Sequence, residues 1–416
     1  MAAVDAQLLW LAGKVRNDQF LLYAFGGVPA DVDAAVAEVR RRARNCPEMG
    51  LRAVDDSRWR YPRWEPGPIT DAEFSVHGGA ERDWQDCLDA VSGLPQLDST
   101  TMPWRLHVFP GVFGIPNPVA APVDAGSVVI VQISHALGDG TRSASLAGML
   151  LGRTWPLPPV GPPDRGSLPW RAAVAAQAHR RLQRDIEAGR MPPPAAPRPA
   201  LSVNAGPRRE AVVRTLVIDR ARLGGTTVTV AALVAVANAL GGYLADNGED
   251  VSRLGAEVPM SKGGERKSHN NFRNCGIDLR PDLAPDLRAE SISAQLATHR
   301  RRGAHPATRA SAAAFDAVPA AVLRWGVGLF DPAVRPSAVS GHTVVSSVNR
   351  GPADLSFGGH GVILTAGYPA LSPVMGLTHG VHGIGDTIAI SVHADPAAVD
   401  IGDYLDRLAD ALGCQP

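Results

Sequence analysis

The sequence has few lysines and no excess of either charge. Its 416 residues include 41 basic and 41 acidic side chains, which gives a formal net charge of zero. Dedicated nucleic-acid binders usually carry a basic excess, so this balance argues against a nucleic-acid partner. Only Lys14, Lys262 and Lys267 are lysines. We attribute the preference for arginine to a GC-rich coding background and not to guanidinium chemistry.

Cysteines are also few and widely spaced. The four of them lie at Cys46, Cys87, Cys275 and Cys414, and no C-x-x-C pair occurs. This spacing disfavours a disulfide framework or a zinc ribbon and indicates a reducing, cytoplasmic setting. Apolar residues make up 45% of the chain, so wholesale disorder is excluded.

No obvious targeting or membrane-spanning segment is present. The first twelve residues contain Asp5 and lack a basic start and a small-residue cleavage site, so we expect no signal peptide. The longest apolar stretch, 230–245, is interrupted by Asn238 and two glycines, and we expect no transmembrane helix. Peripheral contact with a membrane or a lipid droplet remains open.

Proline clusters divide the chain into three regions. Residues 1–152 and 211–416 mix helical and strand patterns, whereas 153–210 contains runs such as Trp155-Pro-Leu-Pro-Pro that prevent regular hydrogen-bond ladders. We therefore predict a mixed α/β (α+β) fold with two lobes joined by a Pro-rich crossover. The periodicity predicts helices at 32–44, 84–91, 170–187, 230–244 and 403–412, and strands at 105–109, 127–134, 211–218, 342–348 and 387–393.

The most informative segment follows a strongly β-branched run. Residues 128–133 predict a strand that is covered on both faces, and Ser134 and His135 come where it ends. Gly138 and Gly140 then bracket a turn, after which Thr141 is expected to cap a helix that runs to about residue 151.

His135 is the candidate general base. A histidine at the end of a buried strand has few rotamers, and its reference pKa of about 6.5 leaves it mostly neutral at pH 7. Asp139 is expected to pair with a distant arginine and to fix the loop. The pattern H-x-x-x-D-G is common by chance, and a core histidine followed by a turn aspartate is the alternative interpretation.

This segment resembles the H-H-x-x-x-D-G motif of the bacterial wax ester synthase/diacylglycerol acyltransferase family, within the CoA-dependent acyltransferase superfamily. Other segments resemble that family in the same order along the chain. They are Val4-Asp5-Ala-Gln-Leu-Leu-Trp, Asp98-Ser-Thr-Thr-Met-Pro-Trp104, Val258-Pro-Met-Ser261 followed by Asn270-Asn-Phe, Ser346-Ser-Val-Asn-Arg-Gly-Pro352, and Thr387-Ile-Ala-Ile-Ser-Val.

The chain departs from the family pattern at several positions. Ser134 replaces the first histidine, and Thr229-Val230 replaces an Asn-Asp pair. Against the family's S-N-V-P-G-P, the asparagine comes one residue late, at Asn349. On a strand, such an offset turns a side chain to the opposite face, so Asn349 points either into the site or away from it.

The resemblance implies two chloramphenicol-acetyltransferase-like lobes, each a mixed sheet flanked by helices, with His135 in a tunnel between them. It implies transfer of a fatty acyl group from acyl-CoA, a co-substrate and not a permanently bound cofactor, to a long-chain alcohol or diacylglycerol. Ser347 or Asn349 would stabilise the oxyanion, Asp139 would support the loop, and Gly140 and Ser261 would contact acyl-CoA.

Two alternatives remain beside this function. One is a specialised-metabolite acyltransferase or condensation-like enzyme with a non-lipid acceptor, and the other is a lipid-binding homologue without catalysis. A metal site is not expected, because His379 and His382 lie between glycines that predict a mobile loop. We expect that loop to line a substrate entrance.

Overall fold

The structure of the chain is a computed structural model that describes residues 1–78, 81–206, 211–224 and 226–414. Its strands are β1 (Asp18–Phe25), β2 (Leu51–Val54), β3 (Arg63–Pro66), β4 (Phe74–Val76), β5 (Arg82–Asp83), β6 (Trp104–Phe113), β7 (Ala125–Ser134), β8 (Arg198–Pro199), β9 (Val212–Asp219), β10 (Gly255–Ser261), β11 (Phe272–Asp278), β12 (Ala338–Val339), β13 (Thr343–Asn349), β14 (Ser356–Phe357), β15 (His360–Tyr368), β16 (Leu377–Ile384) and β17 (Thr387–Ala394). Its helices are α1 (Ala3–Ala12), α2 (Val32–Arg44), α3 (Trp84–Ser92), α4 (Gly140–Leu150), α5 (Leu168–Glu187), α6 (Val228–Asp246), α7 (Pro285–Ala304), α8 (Pro306–Asp316), α9 (Ala320–Gly328) and α10 (Ile401–Leu412).

The first lobe is built on a seven-stranded sheet with the order β14-β15-β1-β7-β6-β4, in which β5 also pairs with β6. Strand β7 is covered on both faces, as its β-branched run predicts. Val129 and Val131 pack with the core under α2 and α4. Val128 and Ile130 pack with the core under α3.

The second lobe is built on a six-stranded sheet with the order β11-β10-β13-β16-β17-β9. One face of this sheet packs against α6, whose residues Leu233, Val236 and Leu240 are fully enclosed in the largest hydrophobic cluster. Two mixed sheets with flanking helices confirm the predicted fold class.

Two strands from the C-terminal half of the chain, β14 and β15, belong to the first sheet. β15 comes from the C-terminal half, yet it pairs antiparallel with β1 of the first sheet, with Leu22 opposite Ala366. The predicted regions 1–152, 153–210 and 211–416 divide the chain by sequence order. The sheets do not follow that division, because β14 and β15 come from the region 211–416 but belong to the first sheet. The end of the predicted crossover, 207–210, lies outside the described residues.

Helix α6 is longer than the apolar stretch in the sequence suggests. It has 19 residues and is, in the described part of the chain, the one helix that is long and apolar enough to cross a membrane. Most of it is buried within the structure, against the second sheet, α7 and α10. Its apolar composition is therefore accounted for by packing in the core of the second lobe.

Candidate active site

A cavity of about 370 Å³ lies between the two sheets, beside the end of β7. Five of the residues singled out in the sequence line it, namely His135, Asp139, Gly140, Ser261 and Ser347. The predicted tunnel residues therefore meet in one place, although they come from both halves of the chain.

His135 is held by a residue from the second lobe. Its Nδ1 lies 2.9 Å from Asn270 Oδ1, and Asn270 Nδ2 donates to the His135 carbonyl at 2.7 Å. The imidazole also packs on the Phe272 ring, with the ring centroids 5.5 Å apart. Asn270 lies just before β11 and Phe272 begins it, so residues of the second lobe hold the His135 side chain at the junction between the lobes.

Asp5 in α1 fixes the orientation of Asn270. The Asp5 carboxylate accepts from the backbone N–H groups of His269 and Asn270 and from Asn270 Nδ2, each at 2.9 Å. Burial raises the pKa of Asp5 to about 6, and these hydrogen bonds act in the opposite direction. At pH 7 the carboxylate is therefore ionised and accepts all three bonds.

The network determines which nitrogen of His135 is basic. Asn270 Nδ2 faces two acceptors, the Asp5 carboxylate and the His135 carbonyl, so Asn270 Oδ1 must face the imidazole. An oxygen acceptor at Nδ1 requires a proton on Nδ1, which leaves the lone pair on Nε2. A neutral His135 in this tautomer can accept a proton at Nε2.

Burial keeps His135 neutral. Desolvation lowers the pKa of His135 below its ordinary value of 6.5, although the hydrogen bond to Asn270 and the charge of Asp139 partly oppose that shift. The imidazole therefore enters a reaction at neutral pH as a base.

Asp139 fixes the loop after His135, as predicted. Its carboxylate pairs with Arg266, where Nη1 lies 2.8 Å from Oδ2, and it accepts from the Asn271 backbone N–H at 2.8 Å. Asp139 Oδ1 also accepts from the Arg142 backbone N–H at 2.9 Å, so Asp139 and not Thr141 caps α4. The prediction of Thr141 as the cap was wrong, because Asp139, two residues earlier, accepts from the free N–H at the start of the helix.

Ser134, which replaces the first histidine of the family motif, does not belong to the cavity. Its side chain is buried and its hydroxyl bonds the Ser99 hydroxyl at 2.6 Å. Ser99 lies in the segment 98–104 that also resembles the family, so this pair joins two matching segments beneath the site.

The two candidate oxyanion donors lie in different surroundings. Ser347 lines the cavity, and its hydroxyl accepts from Thr229 Oγ1 at 2.9 Å, which leaves the Ser347 proton free to donate. Asn349 is exposed, and its Oδ1 accepts from the Gly351 backbone N–H at 2.9 Å. The structure therefore does not place Asn349 in the cavity with His135, although Asn349 follows Ser347 by two residues at the end of β13.

Gly140 and Ser261 line the cavity on opposite lobes. Gly140 begins α4, and a Cβ at that position would lie 3.2 Å from Val348 Cγ2, so the glycine permits the helix to approach β13 closely. The N-terminus of α4 therefore lies at the cavity wall, where Gly140 and Thr141 are both lining residues, and a helix N-terminus favours negative charge.

The histidines after Gly376 are not in a loop. His379 and His382 both lie in β16, which is buried along its whole length. His379 bonds the hydroxyls of Thr343 and Tyr404, whereas His382 lines the cavity. The prediction of a mobile loop was wrong, because neighbouring strands cover these glycines. Within the ranges that the structure describes, no cluster of metal-ligating side chains occurs.

The sequence predicted no role for Asp5 or Asn270, and it predicted an arginine partner for Asp139 without identifying Arg266. Asp5 and Asn270 lie in segments that resemble the family, and this resemblance was the only indication in the sequence that they belong to the site. Their function depends on contacts across more than a hundred residues of sequence, which local patterns do not reveal.

A second cavity of about 490 Å³ adjoins the first. The two share Asp18, Phe20, Tyr368 and Ala370 in their walls. Its wall also contains three basic residues, Lys14, Arg16 and Arg335. The space around His135 therefore extends toward a second, more basic chamber.

The fold is that of the two-lobed acyltransferases and condensation domains. The wax ester synthase/diacylglycerol acyltransferase from Marinobacter aquaeolei VT8 superposes with a TM-score of 0.60 at 18% identity, covering 99% of this chain and 97% of that one. A starter condensation domain of rhizomide synthetase RzmA in complex with C8-CoA gives 0.58 at 14% identity, covering 99% and 93%.

The same condensation domain in another crystal structure gives a TM-score of 0.52 at 15% identity, covering 99% and 94%. No protein-family profile and no curated protein matches the sequence. At this level of identity, the agreement establishes the fold that the motif resemblance implied, over nearly the whole chain.

Proposed function

We propose that this chain is an acyltransferase that moves an acyl group from a thioester, acyl-CoA, to a hydroxyl acceptor, with His135 as the general base. The observation that carries the proposal is the Asp5–Asn270–His135 network. It fixes a neutral imidazole with its lone pair on Nε2, in the wall of a cavity between the lobes.

The proposed reaction proceeds in a complex with both substrates. His135 Nε2 takes the proton of the acceptor hydroxyl as its oxygen attacks the thioester carbonyl carbon. The Ser347 hydroxyl and the first N–H groups of α4 donate to the tetrahedral oxyanion. The intermediate then collapses with cleavage of the C–S bond, and the thiolate takes the proton from the His135 imidazolium.

The comparisons support acyl-CoA as the donor. One structural neighbour is a wax ester synthase/diacylglycerol acyltransferase, and another holds C8-CoA. The acceptor class that follows from the family resemblance is a long-chain alcohol or diacylglycerol. No permanently bound cofactor enters the proposed reaction.

A second candidate is a smaller, polar acceptor, as in specialised-metabolite acyltransferases. The cavity wall around His135 includes the polar side chains of Asn17, Gln19, Asn274 and Ser346. The Gln19 and Asn274 amides already donate within the protein, but the buried Asn17 Oδ1 has no partner among the described residues, and an alkyl chain offers it no donor. This lining favours an acceptor that carries polar groups of its own.

Thiol release from palmitoyl-CoA tests these functions. The protein is incubated with palmitoyl-CoA alone, with hexadecanol, with diacylglycerol, and with a panel of polar alcohols. Acceptor-dependent release supports acyl transfer and identifies the acceptor class. Binding of palmitoyl-CoA with no release by any acceptor would support the non-catalytic lipid-binding alternative and overturn the proposal.

We also propose peripheral contact with lipid through an apolar surface around α9, in an otherwise cytoplasmic protein. Trp325 is 66% exposed, Leu329 64% and Val334 63%. Lys14, in the wall of the second cavity, donates to the carbonyls of Gly328 and Phe330 at 2.6 Å, so a positive charge lies beside this surface. Trp325→Ser should reduce cosedimentation with phosphatidylglycerol vesicles, and equal binding by both proteins would contradict this contact.

A further inference from the structure

A buried arginine without an acidic partner lines the cavity. Arg350 is 5% exposed, and its Nη1 donates to the Ala366 carbonyl at 2.9 Å and to the Leu22 carbonyl at 3.4 Å. Its guanidinium carbon lies 5.1 Å from the centroid of the Tyr23 ring. Among the described residues, no Asp or Glu forms an ion pair with it.

Part of the guanidinium is unsatisfied. Arg350 Nε is buried and has no hydrogen-bond partner in the described part of the chain. A Cβ added at Gly367 would lie 2.7 Å from Arg350 Nη2 and 2.8 Å from His382 Cε1. Both Arg350 and Gly367 belong to the cavity wall. The missing side chain at Gly367 therefore leaves room for the guanidinium at this wall.

His382 supplies a second unsatisfied nitrogen beside Arg350. It is 5% exposed, lines the same cavity, and its buried Nδ1 has no partner among the described residues. Burial, together with the charge of Arg350, lowers the pKa of His382 well below its ordinary value. The ring is therefore neutral and can donate one hydrogen bond.

Neither of the two acidic residues in the wall forms an ion pair with Arg350. Asp139 pairs with Arg266. Asp18 Oδ2 accepts from the Leu97 backbone N–H at 2.8 Å and from Gln132 Nε2 at 2.7 Å, while its buried Oδ1 has no partner among the described residues. A buried cation without a counter-charge is costly, and an arginine in this state is well suited to bind a planar carboxylate through two parallel hydrogen bonds.

We propose that Arg350 and His382 form a carboxylate-binding subsite that recognises an acidic group on one of the two reactants. The inference rests on the proposed acyl transfer and makes it more specific. In the motif that resembles S-N-V-P-G-P, alignment on Gly351-Pro352 places Arg350 at the position of the proline. The subsite is therefore a feature of this chain and not of the motif.

Calorimetric binding to the full chain tests the subsite, with two pairs of matched probes. For the acceptor, 6-hydroxyhexanoate is compared with 1,6-hexanediol, and for the donor, glutaryl-CoA is compared with pentanoyl-CoA. In one pair the acidic probe should bind at least ten times more tightly than its neutral partner, and that pair identifies which reactant carries the carboxylate. Equal affinities within both pairs would overturn the proposal.

Two variants separate recognition from folding. Arg350→Met should abolish the preference and leave the affinity for the neutral probe within about twofold. If Arg350→Met does not fold, Gly367→Ala serves as the second variant. It retains the charge of Arg350 but displaces the guanidinium, so it should reduce the preference for the acidic probe. A preference that survives in a folded variant, or an equal loss for acidic and neutral probes, would contradict the subsite. Thiol release with neutral acceptors reports separately on acyl transfer itself.

Discussion

At the scale of single residues, the tautomer of His135 depends on one amide. Asn270 accepts from Nδ1, and Asp5 holds that amide in place. Removing the amide frees the imidazole to rotate and to adopt the other tautomer, which moves the basic nitrogen away from the acceptor.

Asn270→Ala should therefore lower turnover by about tenfold to a hundredfold, with little change in KM. The matched control is Asn204→Ala, because Asn204 is also a buried amide and donates to the carbonyls of Gly341 and Val374 away from the cavity. Steady-state kinetics of both variants would check this. An equal decrease in the two would indicate that only general stability had been lost.

The pH dependence follows from the same network. The pKa of His135 lies below 6.5 because of burial, and that of Asp5 is about 6. The base acts in its neutral form and Asp5 accepts three bonds as a carboxylate, so both groups lose function as the pH falls. We expect kcat/KM to decrease only below about pH 6.5. An acid limb above pH 7 in the pH–rate profile would be inconsistent with this network.

Residue identity could be predicted here only in part. His135, Asp139, Gly140, Ser261 and Ser347 were found because short motifs carry them, and each lines the cavity. The one-residue offset at Asn349 was visible in the sequence. Whether the Asn349 side chain lies in the cavity, however, depends on the end of β13 and on the turn at Gly351. Which nitrogen of His135 is basic depends on Asn270, and no local pattern shows that contact.

At the scale of elements, the loop before β11 ties the second lobe to the start of α4. Arg266 and Asn271 both donate to Asp139, and the Asp139 backbone N–H donates to the His269 carbonyl at 3.3 Å. This ion pair is buried, with side-chain exposures of 9% for Arg266 and 7% for Asp139. Breaking a buried pair by removing one partner leaves an uncompensated charge.

Asp139→Ala should therefore destabilise the protein by roughly 3–5 kcal/mol, measured by urea unfolding. The control is Asp56→Ala, which removes a carboxylate from an exposed pair with Arg63 and should leave the midpoint nearly unchanged. If Asp139→Ala unfolds at the same urea concentration as the wild type, the structural role of Asp139 is incorrect.

The elements that could be predicted are those with a clear local periodicity, which include six of the ten helices but only five of the seventeen strands in the described part of the chain. The predicted helix at 32–44 matches α2 in both bounds, and the β-branched run of β7 indicated burial on both faces. The glycines of β16 predicted a loop instead. Because glycine has no side chain, β16 can pack closely against β15 of the first sheet. A Cβ at Gly380 would lie 2.0 Å from the Gly367 carbonyl oxygen.

At the scale of the whole molecule, the first lobe depends on the second half of the chain, because β15 supplies a strand of the first sheet. Without it, β1 would become an exposed edge strand, and the buried Leu364 and Ala366 would be missing from the core. Neither β1 nor β15 was among the strands predicted from the sequence, and the pairing between Phe20 and Tyr368 is a long-range contact that no local pattern shows.

Residues 1–206 expressed alone should therefore show no cooperative thermal transition by circular dichroism. Coexpression with residues 211–416 should restore a folded complex, because β15 is then supplied in trans. If residues 1–206 alone unfold cooperatively at the same midpoint temperature as the full chain, the first lobe does not depend on β15.

The central claim is that His135 is the base for acyl transfer from a thioester, and its most direct test is acceptor-dependent thiol release by the wild type and by His135→Ala. A general base typically contributes about 10²- to 10⁴-fold to the rate, so the variant should lose at least about a hundredfold in turnover. Its far-ultraviolet spectrum and thermal midpoint should remain close to those of the wild type. A folded variant that retains more than about a tenth of wild-type turnover would contradict the assignment of His135 as the base.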